Sequence, residues 1–206
     1  MSVALANFVD AWFMNACEMY EYLERISNLI RTSVRKSGQT WDLQPIQFEA
    51  LHYLSRCNRY SNTPVGVAEF LGLTKGTVSQ TLRVLENHGL VEKHTDLHDR
   101  RVVHLTVTLV GGQVLDEAVP PPLFKAALVQ MPDAERHHME QTMATLLRRL
   151  QQANQLKTFG TCKTCVHHQR RNDGLRQCGL TQEILDDFDA EKICREHLTQ
   201  DQGASE

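Results

Sequence analysis

The chain has 206 residues, 41% hydrophobic and 23% charged, with 22 Lys and Arg against 25 Asp and Glu for a formal charge of -3. That composition suits a chain with one or two buried cores and excludes disordered or collagen-like structure. No apolar run reaches the ~18 to 20 residues needed to cross a bilayer. The first apolar stretch carries Asp10 and lacks a basic start and cleavage site, so the expected location is cytoplasmic, without membrane contact.

From Leu5 to about Ser33 the chain lacks Pro and Gly and spaces Phe8, Trp12, Cys17 or Met19, Leu23, Ile26 and Ile30 as an amphipathic helix would. SGQTWDLQ is a connector. Pro45 opens a second helix carrying Ile46, Phe48, Ala50, Leu51 and Leu54 and ending near Asn58. A short helix follows, with Thr63 as N-cap, Pro64 at the first position and Gly72 as its stop. Thr74 caps the next, whose stripe is Val78, Leu82 and Leu85 and whose end is Gly89. Two short helices about three residues apart make a helix-turn-helix.

After Gly89 the periodicity changes. LVEKHT and RVVHLTVT are β-branched runs flanking DLHDRR, which predicts a hairpin and therefore a winged helix. Helical patterning resumes at Leu109, breaks at Pro120, Pro121 and Pro122, and restarts at Leu123. MPDAERHHMEQTMATLLRRLQQANQ predicts a last long helix with Pro132 and Asp133 in its first turn and Met139, Met143, Leu146, Leu147 and Leu150 inward.

PIQFEALHYL, TPVGVAEFLGLTKGTVSQTLRVLENHGLVEK, DLHDRRVVHLTVTLVGGQVL and PDAERHHMEQTMATLLRRL together resemble the MarR family of bacterial transcriptional regulators over about residues 5 to 155. In the wing, Asp96, Asp99 and Arg101 match the family's D-x-R-D-x-R, and His98 stands where its first arginine would be. The resemblance implies a mainly α, dimeric winged helix-turn-helix with a small β-wing, acting on double-stranded DNA as a repressor. It also implies that the first helix and the helices after the wing form the homodimer surface. The triple proline is atypical and suggests a differently bent arm.

The residues of the second short helix suit base reading on their own chemistry. Thr74, Lys75, Thr77, Ser79, Gln80 and Arg83 can reach a major groove, where Gln pairs with adenine and Arg with guanine. Arg100 and Arg101 at the hairpin turn suit phosphates or a narrow minor groove. Residues 63 to 104 hold five Lys or Arg and five Asp or Glu, so affinity must come from placement and dimerisation. A two-fold dimer sets the recognition helices ~34 to 36 Å apart and predicts a pseudo-palindromic operator.

Beyond the resemblance, Cys162, Cys165, Cys178 and Cys194 follow C-x2-C-x12-C-x15-C and form a complete set of four metal-binding thiols. Phe159 to Leu198 has about nine large apolar residues, while ordering ~40 residues costs on the order of 60 kcal/mol. A bound metal, worth ~10 to 16 kcal/mol, and packing on the helical body are expected to supply the difference. The spacing resembles that of high-potential-type iron-sulfur domains and inclines slightly to an iron-sulfur cluster of the 4Fe-4S kind over Zn2+. Zinc stays open, since Cys194 and His197 could form a second knuckle, and so does a metal-free thiol switch. His167, His168 and His197 are expected around the ligands, Gly160, Gly174 and Gly179 loosen the backbone, and TQEILDDFDAEKICREH predicts a short helix ending near Cys194.

Cys17 and Cys57 read as buried or helix-end residues, and His137 and His138 as a solvated face. Phe8, Trp12, Trp41 and Phe48 read as core, with a ligand pocket between arms and heads as the alternative. The expected organisation is 1–40 dimerisation helix, 41–110 winged helix, 111–157 dimerisation helices, 158–198 cysteine-rich metal domain and 199–206 disordered tail. The expected function is DNA-binding regulation through redox, iron or small-molecule sensing, without catalysis. A redox or electron-transfer protein and a zinc-stapled adaptor are the alternatives.

Overall fold

The computed structural model describes residues 2–97, 99–153 and 157–199, with side chains from Asn15 onward. Thus Phe8, Trp12, His98 and the stretch 200–206 lie outside what is described. The first helix, α1 (Ser2–Gly38), is longer than its predicted end near Ser33. It absorbs the start of the predicted connector, and a 3-10 turn, Gln39–Trp41, completes the link. Gly38 permits this, because a Cβ there would lie 2.7 Å from the Leu43 carbonyl and from the Phe48 ring.

Next come α2 (Pro45–Arg56), α3 (Pro64–Leu71) and α4 (Lys75–Asn87). The Thr63 and Thr74 hydroxyls accept from the Gly66 and Thr77 amides at 3.1 and 3.2 Å, as N-caps do. Gly72 ends α3 at φ +65, in the left-handed region that favours glycine. Strands β1 (Val91–Thr95) and β2 (Val103–Val107) pair antiparallel from Val91↔Val107 to Thr95↔Val103. The helix-turn-helix and wing stand where the sequence placed them.

Phe48, Leu51, Val67, Val78, Leu85, Leu90 and Leu105 fill the core between these elements. The Tyr53 hydroxyl, buried among them, donates to the Ser61 carbonyl at 2.8 Å. This seats the loop before α3 against α2. Gly66 lets α3 come close to that loop, since a Cβ there would meet the Ser61 oxygen at 2.2 Å.

After the wing, α5 (Leu109–Ala118), α6 (Pro122–Val129) and α7 (Asp133–Ala153) follow, with the prolines breaking the arm between α5 and α6. The expected inward stripe of α7 is not covered within the chain. Met143, Leu147 and Leu150 are exposed, and Met139 and Leu146 are half-buried. The same holds for Met19, Leu23 and Ile26 on α1, and Cys17 is exposed rather than core. The single chain has too few neighbouring elements to cover these long arms. Cys57 is the C-cap of α2 and buried, Phe48 is core, Trp41 packs partly buried against it, and His137 and His138 face solvent.

The tail folds differently from its sequence reading. It holds a 3-10 turn, Cys162–Thr164, and a three-stranded antiparallel sheet of β3 (His168–Arg170), β4 (Arg176–Cys178) and β5 (Ile184–Leu185). Only α8 (Asp187–Ala190) of the predicted helix is helical. Asp186 caps it early, accepting from the Asp189 amide at 2.6 Å, and the chain then leaves to pair with other segments. No helix among the described residues is long and apolar enough to cross a membrane.

Candidate nucleic-acid interface and thiol site

Helix α4 turns Val78, Leu82 and Leu85 into the core and leaves Thr74, Lys75, Thr77, Ser79, Gln80 and Arg83 exposed. All six predicted residues therefore stand on one accessible helix surface, with no carboxylate in its first turn. Arg100 and Arg101 sit at the hairpin turn, also exposed. Arg101 is held in place there: its Nε and Nη2 each donate to a different Asp99 oxygen at 2.9 Å, with its side chain still 90% exposed. The pairing raises the arginine pKa and lowers the carboxyl pKa, so both remain charged. The wing carries an internal ion pair formed from Asp99 although His98 stands at the first arginine position.

The wing is fixed to the head by His104, whose Nδ1 lies 2.6 Å from Asn62 Oδ1 and whose Nε2 lies 3.2 Å from Asp96 Oδ2. The Asn62 carbonyl also accepts from the Leu105 amide at 2.7 Å. These bonds set the hairpin against the loop before α3. Where arm meets head, a cavity of about 170 Å³ touches Ile30, Val34, Phe48, His52 and Val119. That is below the ~300 Å³ of ordinary ligand pockets, and Trp41 does not line it.

The four tail cysteines come to one end of the tail through backbone pairing. The Cys165 amide donates to the Cys162 carbonyl at 3.1 Å, closing the C-x2-C turn. A bridge joins Thr161 to Ile193, with the Cys162 amide on Lys192 and the Cys194 amide on Gly160 at 3.2 and 3.0 Å. Cys178 pairs with His168, whose amide donates to the Cys165 carbonyl at 3.1 Å. All four are free thiols. Burial, and then the neighbouring Cys194, Cys178 and Cys165, push the Cys162 thiol up to about 12. Among the described residues, no three His, Cys, Asp or Glu side chains are placed to hold a single metal ion.

Two histidines there have opposite situations. His197 is buried, with Nδ1 2.5 Å from Thr158 Oγ1 and Nε2 2.9 Å from Thr164 Oγ1, so both ring nitrogens are taken. Gly160 makes room for that ring, since a Cβ would lie 2.5 Å from it; here the glycine serves close approach rather than looseness. His168 Nε2 is buried with no hydrogen-bond partner.

Sequence reasoning did not find how the tail attaches. Ile193 forms a parallel bridge with Cys57, taking a bond from its own amide to the Arg56 carbonyl and another from the Asn58 amide, both at 2.9 Å. Its side chain joins the head's core. Phe159 packs edge-on to Tyr53 and Phe70, with centroids 6.1 and 5.2 Å away. Arg195 donates through Nε and Nη2 to Glu69 on α3 at 2.6 and 2.7 Å, and its amide donates to Ser61 Oγ at 2.8 Å. Arg59 and Tyr60 both reach Glu183. The apolar spacing of Phe159 and Ile193 was the only signal, and it is too sparse to show a partner surface.

Arg195, and then Lys157, hold the Glu69 carboxyl below its ordinary 4.5. A depressed carboxyl stabilises the folded state fully above its unfolded pKa and loses that contribution as pH falls through the folded one. Glu69→Gln is therefore expected to lower stability by about 0.5 to 1 kcal/mol at pH 7. The gap to the parent should close below about pH 4. Thermal unfolding of both chains across that range checks it, and a gap independent of pH would contradict the ion pair's role.

Residues 41–102 match the family model described as MarR family. The chain is 29% identical over 110 residues to the transcriptional repressor MprA of Escherichia coli K12, an alignment covering 52% of this chain. It spans 62% of the length of the curated relatives it matches. The crystal structure of Staphylococcus aureus MepR in a DNA-binding conformation is 26% identical, covering 64% of this chain and 98% of that one with a TM-score of 0.52. A MepR–DNA complex, 24% identical with a TM-score of 0.52 over 63% of this chain and 97% of that one, has the same fold. The thiol-bearing tail lies outside the residues that match the family model.

Proposed function

We propose that the chain is a MarR-type transcriptional repressor that binds a pseudo-palindromic operator as a homodimer. The observation that carries this reading is the exposed row Thr74, Lys75, Thr77, Ser79, Gln80 and Arg83 on a core-anchored α4, beside the wing arginines Arg100 and Arg101. An α-helix of this kind fits a major groove, and a tethered hairpin reaches the flanking backbone. The likeness to MprA, named a transcriptional repressor, and to MepR in a DNA-binding conformation supports it.

Dimerisation rests on the uncovered arms. Tyr20, Leu29, Val129 and Leu147 are 61, 57, 74 and 57% exposed, and α6 and α7 bury no residue within the chain. Apolar faces of that extent call for a covering surface, and a second copy supplies one with two-fold symmetry. The four cysteines and His168 form a site for an iron-sulfur or zinc cofactor, through which the protein senses redox state, iron or another effector. The all-thiol donor set and the orphaned His168 nitrogen support that assignment.

Genome-wide binding of the full chain tests the reading. Discrete sites with inverted half-sites about one helical turn apart are expected, and uniform coverage would contradict it. Arg101→Ala is expected to weaken specific and random DNA alike and to reduce the salt slope by about 1 per protomer. Fluorescence anisotropy at several salt concentrations checks this, and a loss confined to the specific site would contradict the phosphate role.

A further inference from the structure

We infer that Cys162, Cys165, Cys178 and Cys194 seat an iron-sulfur cluster whose presence is reported to the DNA-reading head through Ile193 and Arg195, which flank Cys194 and bond to the α2–α3 loop. The inference rests on the reading of the head as a DNA binder and adds the identity of its control site.

The donor set comes first. Backbone pairing brings four free thiols to one end of the tail, and His197, the nitrogen that could complete a second zinc knuckle, is held by Thr158 and Thr164. A single zinc ion requires all its ligands within ~2.3 Å of one centre. The thiols gather without any three of them converging on such a point. A cluster places a separate iron at each thiol and so asks for thiols spaced more widely than a single ion does. His168 adds a second, independent sign. It pairs with Cys178 across β3 and β4, which puts the two side chains on one face, and its Nε2 is buried without a partner. Cluster sulfides and thiolates accept hydrogen bonds, and His168 supplies a donor beside Cys178.

The connection to the head is short. Cys194 is one residue from Ile193, which is bonded to Arg56 and Asn58 and buried in the head's core. On its other side, Arg195 holds Ser61 and Glu69. Asn58 and Ser61 precede α3, and Glu69 lies on it. The segment that carries the fourth ligand therefore grips the helix on which α4 packs, so that ordering Cys194 orders the support of the base-reading helix.

The test is anaerobic reconstitution of the full chain with ferric iron, sulfide and a thiol reductant that brings half of the iron to the ferrous state. We expect about four iron and four sulfide per chain. Cys165→Ser and Cys178→Ser should each lose most of that iron. His168→Leu should retain it but lower the midpoint potential, because a hydrogen bond to the cluster is lost. Exchange of the Asn58, Ile193 and Arg195 amides should slow on the order of 10-fold on loading. Affinity for the protein's own upstream DNA should change in the same step. Stoichiometric zinc without labile sulfide, or iron unaffected by either serine variant, overturns the cluster. An unchanged potential in His168→Leu overturns the donor role, and unchanged amide exchange overturns the link. If the loaded chain takes up iron and sulfide but neither form prefers its own upstream DNA, the DNA-binding reading has failed while the cluster stands.

Discussion

Arg83→Ala is expected to lower affinity for the operator by about 1 to 3 kcal/mol, roughly 5- to 150-fold, while leaving affinity for random DNA nearly unchanged. Arg83 is exposed on α4 two turns beyond the Thr74 cap, and its neighbour Leu82 is fixed in the core. The backbone under the arginine is thus rigid while the guanidinium is free to meet a base edge. A bidentate pair with guanine discriminates by hydrogen-bond pattern, so its loss relaxes sequence preference rather than charge attraction. Anisotropy competition between specific and random duplexes measures the difference. Equal losses on both would place Arg83 on phosphate and contradict its assignment to the groove.

Ile193→Ala is expected to destabilise the chain by about 2 to 5 kcal/mol, since it removes a buried branched side chain at a seam with little room to close. Ile193 is 6% exposed and belongs to the head's core cluster although it lies about 90 residues after β2. The substitution removes apolar contact on both sides of the seam and leaves the bridge to Cys57 without packing. Denaturant unfolding should show a lower midpoint, with the tail's amides losing protection before those of α2 and α4. A midpoint equal to the parent's would mean that the tail does not lend stability to the head.

The head was legible in the sequence because its signals are local. Thr63 and Thr74 mark helix starts, Gly72 and Gly89 mark ends, and DLHDRR between β-branched runs marks the hairpin. The exposed row on α4 follows from the same periodicity, with Val78, Leu82 and Leu85 naming the opposite face. The arms were legible as helices with apolar stripes, but the period of such a stripe says that a face seeks a partner and not whether the partner is in the chain. Met143 and Leu147 carry that lesson.

The tail was the least legible part. In TQEILDDFDAEKICREH the apolar residues fit a helix, yet Ile184 and Leu185 are in strand and Ile193 is drawn into a bridge with Cys57. Long-range pairing overrides local preference in such short segments. The cysteine spacing singled out Cys162, Cys165, Cys178 and Cys194 as a set. It could not show that Ile193 and Arg195 beside them would hold the loop before α3, because that surface is assembled from residues more than 120 positions away.

Sequence-specific DNA reading by the proposed winged-helix head is checked by titrating the full chain with a duplex from its own upstream region and with a scrambled duplex of equal composition. Binding to the first duplex is expected to be at least about a thousandfold tighter near physiological salt. Equal affinity for the two duplexes at every salt concentration would contradict it.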